Sequence, residues 1–219
     1  MRPPAHVVWD WNGTLFDDHV AVLVAVNEVR VHRGLGAMDS ESYRRNFVQP
    51  LRRFYSEMEG RELGDEEWAA INSLWHTAYD GALDGVALTV DAAHALSLAA
   101  SVGLSQSLLS MHYHDRIVGH LERFGEIGRF CLVDGVREWC DDPKAERLVV
   151  HLRTLGIDDP DTVLLVGDTL DDAAAAVAVG TRIVLYDGGS HHRDDLAGSG
   201  HPVATSLVEA LALGGVPTR

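Results

Sequence analysis

The chain has 219 residues, enough for one large domain or a core with a smaller second one, and its 46% of hydrophobic residues can build a sizeable interior. Lys and Arg number 18 against 33 Asp and Glu, a formal charge of −15 with no basic stretch, which excludes a nucleic-acid-binding surface of the usual kind. No apolar run is long enough to span a bilayer and no leader peptide is evident, so the expectation is a cytoplasmic protein without a membrane partner; Cys131 and Cys140 fit neither a metal spacing nor a disulfide framework.

Val7-Val8-Trp9 is a short β-favouring apolar run that stops abruptly at Asp10, as a strand buried on both faces of a parallel sheet does. Asn12-Gly13 then turns the chain. A hairpin would need an alternating strand after Gly13, and the spacing of Val20, Leu23, Val24 and Val31 is nearer to helical. A helix is predicted over 20–34, stopped by Gly34 or Gly36. A second helical stretch opens at Ser40 and runs to Glu59, broken by Pro50, and a third follows Asp65 from Glu66 to about Ala82, with Trp68, Ile71, Leu74, Trp75 and Ala78 on one face. A crossover between parallel strands needs only one helix, so residues 18–87 read as an inserted helical domain that leaves at Asp84-Gly85.

From there strands and helices alternate. Helices are predicted over 90–102, 114–124, 144–155 (with Leu148, Val149, Leu152 and Leu155 inward), 171–179 and 207–213. Strands are predicted over 104–110, 129–133, 163–166 and 182–186. This is the pattern of an α/β fold: a Rossmann-like parallel-sheet core of residues 1–17 and 88–219 around a helical insertion.

Four features point to chemistry. In open α/β sheets ligands bind beyond the carboxyl ends of the strands, which is where Asp10 falls. Val166-Gly167-Asp168-Thr169-Leu170-Asp171-Asp172 also follows an apolar strand. Its three carboxylates repel one another unless a cation or solvent intervenes, and with Asp10 on a neighbouring strand they make a hard oxygen site suited to Mg²⁺. Asp142-Pro143-Lys144 is a helix start that puts an ammonium in the first turn, where the helix dipole disfavours it unless an anion sits there too; Lys144 is the one lysine in a chain with 17 arginines. Ser110, at the end of the second predicted strand, could donate to a phosphate oxygen or merely turn the chain. Weaker features are His112 and His114 with Asp115, which would face solvent or the site mouth, and His191-His192 in a polar loop read as solvated. Arg44, Arg45, Arg52 and Arg53, beside Phe47, Phe54 and Tyr55, make either an anion clamp or a salt-bridged helix face.

An Asp-x-Asn-Gly-Thr-Leu loop, a strand-end Ser, a Lys and a Gly-Asp-x-x-x-Asp loop, in that order, resemble the phosphatase side of the haloacid dehalogenase superfamily, of the phosphoglycolate-phosphatase type, over nearly the whole chain. The resemblance implies a cap domain in the insertion, Mg²⁺ as cofactor, and a small phosphorylated substrate handled by a monomer or weak homo-oligomer. It further implies Asp10 as a nucleophile forming an aspartyl-phosphate, Asn12 giving its backbone carbonyl to the metal, and Thr14 and Ser110 bonding phosphoryl oxygens. Lys144 would neutralise charge, Asp168 would ligate the metal, and Asp172 or Asp171 would support it.

The sequence departs from that pattern at Asn12, where such phosphatases carry an Asp that serves as general acid and base. An amide holds geometry but shuttles no proton, a loss of roughly a hundred- to ten-thousandfold. The substrate then has a good leaving group or its own acid, or the chain does another of the superfamily's reactions, or it is a catalytically weak, regulatory phosphate-ligand-binding protein. The dehalogenase branch has Tyr at that position and needs no metal, which Asn12 and the carboxylates around Asp168 oppose. The phosphonoacetaldehyde-hydrolase branch shares a similar loop with a Trp like Trp11, but uses a cap lysine, and residues 18–87 contain none.

Overall fold

The computed structural model describes residues 3–137 and 143–217; Cys140 and Asp142, the expected cap before Lys144, lie outside the described residues. The chain separates into two compact units, the flanking segments Met1–Asp17 and Leu88–Arg219 together, and Asp18–Ala87.

The first unit is a six-stranded parallel sheet in the order β3-β2-β1-β4-β5-β6, with β1 His6–Trp9, β2 Ser105–Tyr113, β3 Leu132–Val136, β4 Val163–Gly167, β5 Arg182–Tyr186 and β6 Val203–Ala204. This is a Rossmann-like α/β core. The order reverses at β1, which is flanked by β2 on one side and β4 on the other, and such a switch point opens a crevice beyond the strand ends. Val7, Val8 and Trp9, like Val163 to Val166, are fully buried because helices cover both faces. On one face Val8, Leu109, Val163 and Leu165 pack with Leu148 and Leu152 of α7 (Lys144–Thr154) and with Ala173, Ala175 and Ala176 of α8 (Leu170–Val179). On the other, Gln106 accepts from the Trp9 indole at 3.0 Å and donates to the Leu96 carbonyl of α5 (Ala92–Ser101) at 3.0 Å.

The second unit holds α1 His19–His32, α2 Ser40–Asn46, α3 Leu51–Glu59 and α4 Asp65–Gly81, packed on an aromatic core of Tyr43, Phe47, Phe54, Tyr55, Trp68, Trp75 and Tyr79. The break expected at Pro50 separates α2 from α3. Three of the four arginines considered as an anion clamp are paired inside this unit: Arg45 with Glu41, Arg52 with Asp65 and Arg53 with Glu57. The salt-bridged face is therefore what the sequence encodes there. Among the described residues no helix is long and apolar enough to cross a membrane.

Several elements differ from expectation. β2 continues three residues past Ser110, and β3 starts three residues after its expected start, taking in Asp134 and Gly135. Gly135 passes so close to β2 that a Cβ there would lie 2.7 Å from the His112 carbonyl oxygen. Val149 is 41% exposed rather than inward, and the α7 position that is fully buried instead is His151. α9 (Arg193–Gly198) and β6 are additional to the expected elements; α6 (His114–Phe124) and α10 (Leu207–Leu213) match expectation.

Buried His6 gives a pH prediction. Burial, with the nearby His151 imidazole, lowers its pKa to about 4, so folding excludes a proton that the unfolded chain binds below about 6.5. Its stabilisation is complete above that value and is lost as pH falls towards 4, by up to ~3 kcal/mol. Urea unfolding at pH 7 and pH 5 should show a smaller loss for His6→Gln than for wild type; equal losses would remove His6 from the acid response.

Candidate active site

Asp10 directly follows β1, with its N–H bonded to the Val166 carbonyl of β4 at 2.9 Å, and Asp168 directly follows β4. The sheet register thus brings two strand-end carboxylates together at the switch point. The loop after Asp10 is held by its own backbone: Gly13 donates to the Phe16 carbonyl at 3.0 Å, and Thr14 and Phe16 donate to the Trp11 carbonyl at 3.2 and 2.9 Å. The buried Trp11 ring stacks on Phe16 with centroids 4.9 Å apart.

Asp172 comes from the first turn of α8. It is the fourth member of a Thr169 capping box: its N–H donates to the Thr169 hydroxyl at 3.1 Å, and its Oδ2 accepts from the Thr169 N–H at 3.0 Å and hydroxyl at 2.6 Å. Its Oδ1 lies 2.5 Å from the Lys144 ammonium. Lys144 begins α7, is 5% exposed, and donates to Asp10 Oδ1 as well. Two carboxylates thus offset both its burial and the adverse helix dipole. One oxygen each of Asp10, Asp168 and Asp172 lie within 4.8 Å of one another. Asp171, by contrast, is half-buried and outside the cluster.

Burial is the main influence raising Asp10 to a pKa of about 7, with the Asp172 charge adding and Lys144 opposing. Asp168 is raised well above its ordinary value by burial and then by Asp10 and Asp172, against hydrogen bonds from the Ser190 N–H and Thr14. For Lys144 burial works against the ammonium, but the attraction of Asp10 and Asp172 outweighs it and the pKa rises. Three buried carboxyl groups sharing one ammonium resist ionising together, and all the donors are hard oxygens, so the set fits a divalent cation such as Mg²⁺. The walls are built close to those oxygens: a Cβ on Gly13 would lie 2.6 Å from Asp168 Oδ2, and one on Gly189 2.1 Å from it.

The other expected site residues divide. Asn12 is partly buried in the same loop as Asp10. Thr14 is fully buried, and its hydroxyl donates to Asp168 Oδ1 at 3.0 Å. Ser110 is buried inside β2, not at its end; its Oγ accepts the His112 N–H at 3.1 Å, which leaves its own O–H as a donor. The loop after β5, expected to be solvated, folds onto the site instead. There the Ser190 N–H donates to Asp168 Oδ2 at 2.6 Å. His191 is 5% exposed rather than solvated; burial lowers its pKa against the charges of Asp172 and Asp195. His192 caps α9. Gly188-Gly189-Ser190 at a strand's carboxyl end was the available signal.

Solved structures share this fold. A haloacid dehalogenase-like hydrolase from Streptococcus pneumoniae superposes with a TM-score of 0.81 at 17% identity, over 95% of this chain and 97% of its own. A protein from Clostridium acetobutylicum described as a predicted phosphatase gives 0.77 at 18% identity, over 96% and 98%. One from Haemophilus somnus described as a predicted phosphoglycolate phosphatase gives 0.75 at 17% identity, over 97% and 99%. No curated protein sequence gives a significant match. The family model for haloacid dehalogenase-like hydrolases matches residues 7–186, and the chain belongs to that family.

Proposed function

We propose that this chain is an Mg²⁺-dependent phosphatase that hydrolyses a small phosphomonoester through an aspartyl-phosphate on Asp10. The observation that carries the reading is the buried Lys144 ammonium between Asp10 and Asp172, with Asp168 beside them at the end of the adjoining strand. The two fold relatives described as phosphatases are consistent with it. Asp10, Asp168 and the Asn12 backbone carbonyl would hold the metal. Asp172 would support it indirectly, since its oxygens already cap α8 and hold Lys144. When bound, the cation supplies positive charge to the phosphoryl oxygens and to the carboxylates around it.

An Asp10 oxygen attacks phosphorus, the phosphorus–oxygen ester bond breaks, and the alcohol leaves with a proton drawn from outside the Asn12 side chain. Lys144 offsets the charge of the phosphoryl group, and the Ser110 O–H donates to it. Water then attacks the phosphorus of the acyl phosphate, releasing inorganic phosphate and restoring Asp10. The helical unit, inserted just after the loop that carries Asp10, is assigned the role of a cap that selects the substrate.

The test is phosphate release from a panel of small phosphomonoesters with Mg²⁺ and with a chelator. The expected outcome is turnover that disappears with the chelator and returns when Mg²⁺ is restored. Turnover indifferent to the chelator would overturn the metal dependence.

A further inference from the structure

Beneath α7 lies a polar chain, buried at His6, Ser107 and His151, that the proposed reaction does not use. His6 Nδ1 is 2.6 Å from the Ser105 hydroxyl and its Nε2 is 2.7 Å from that of Ser107. Ser107 Oγ is 2.8 Å from His151 Nε2, and His151 Nδ1 is 3.4 Å from Asp134 Oδ2. Arg147 donates to Asp134 Oδ1 at 3.2 Å and to the Gly135 carbonyl at 3.1 Å. Ser107, His151 and Asp134 have the composition of a hydrolytic triad, but Ser107 and His151 are 0% exposed, so no substrate reaches them.

A carboxylate only accepts, so the His151–Asp134 contact has His151 Nδ1 as its donor, while His151 Nε2 and both ring nitrogens of His6 each meet a serine hydroxyl. Removing Ser107, His151 or Asp134 costs a buried group a partner. The His151 hydrogen bond, joined by the Arg147 charge, holds the Asp134 carboxyl below its usual range.

Lys144, Arg147 and His151 are spaced by three and four residues, so they share one face of α7. The neighbouring Leu148 and Leu152 contacts are apolar and non-directional, whereas the two hydrogen-bonded groups add directional contacts on the same helix. We infer that Arg147 and His151, anchored together on Asp134, are positioning residues that fix α7 so that the Lys144 ammonium sits between Asp10 and Asp172. The catalytic meaning of this clamp rests on the role proposed above for Lys144; the clamp itself does not.

Because Lys144 is the one lysine, a lysine side-chain nitrogen label gives a single NMR ammonium signal that reports its surroundings whatever the protein catalyses. The expected wild-type signal is protected from exchange. In Arg147→Ala and in His151→Gln, which keeps the reach to Ser107 but not to Asp134, it should move towards that of a solvated lysine. Exchange should be faster by about tenfold or more, the factor for one lost hydrogen bond to a charged group. His151→Asn, which retains the reach to Asp134, should stay nearer to wild type. The backbone amide spectrum confirms folding, and Arg147, 21% exposed at its side chain, decides the matter if the His151 variants do not fold. An unchanged signal in folded Arg147→Ala, or in folded His151→Gln, would overturn the inference. An altered signal in a protein with no phosphatase activity would sustain the clamp and reject the phosphatase reading.

Discussion

Asp10→Asn is expected to reduce phosphate release by about ten-thousandfold or more, the scale on which removal of a nucleophile acts when the rest of the site stays in place. The substitution is nearly isosteric, and an amide oxygen still accepts from Lys144, so the fold and the Asp168–Asp172 pair should persist. What is lost is the anionic oxygen that attacks phosphorus. The check is steady-state phosphate release beside a thermal unfolding curve. Activity retained by a folded variant would remove Asp10 from the role of nucleophile and leave the cluster as a metal site serving a bound water.

Asn12→Asp is expected to act in the opposite direction. Phosphate release from unactivated alkyl esters should rise by roughly a hundred- to ten-thousandfold, as an acid becomes able to protonate the leaving alcohol and then to deprotonate water. Esters with acidic leaving groups, which need no such proton, should gain much less in the first step. The comparison to make is the ratio of rates on an alkyl and an aryl phosphate in wild type and variant. No change, or a loss, on both would mean that Asn12 suits a particular substrate or a chemistry other than ester hydrolysis.

The sheet and the carboxylate pair were legible in the sequence because they rest on short-range signals. β1 and β4 are apolar runs that end abruptly at Asp10 and at Gly167-Asp168, and a parallel sheet buried on both faces demands such runs. The position of Lys144 was legible for a similar reason, since an ammonium in a first helical turn needs an anion. What was not legible depends on groups distant in sequence. Asp134-Gly135 looks like a turn, but Asp134 stays in β3 because Arg147 and His151 meet its charge and Gly135 makes room for β2. Hydrophobic periodicity put Val149 inward; the buried position is His151, whose polarity is met by Ser107 and Asp134. His191 read as a solvated loop residue because its burial comes from the Gly188-Gly189-Ser190 turn folding onto Asp168, which no local pattern reveals.

The most direct test of the account is to quench the wild-type protein in acid during turnover of an aryl phosphate with Mg²⁺ and to map any covalent phosphoryl group by peptide mass spectrometry. One phosphoryl group is expected, on the Asp10 carboxyl. It should be more abundant in wild type than in Asn12→Asp, where hydrolysis of the acyl phosphate has a base, and absent from Asp10→Asn. Turnover with the phosphoryl group on another residue, or with none trapped while phosphate oxygen exchange shows direct attack by water, would contradict it.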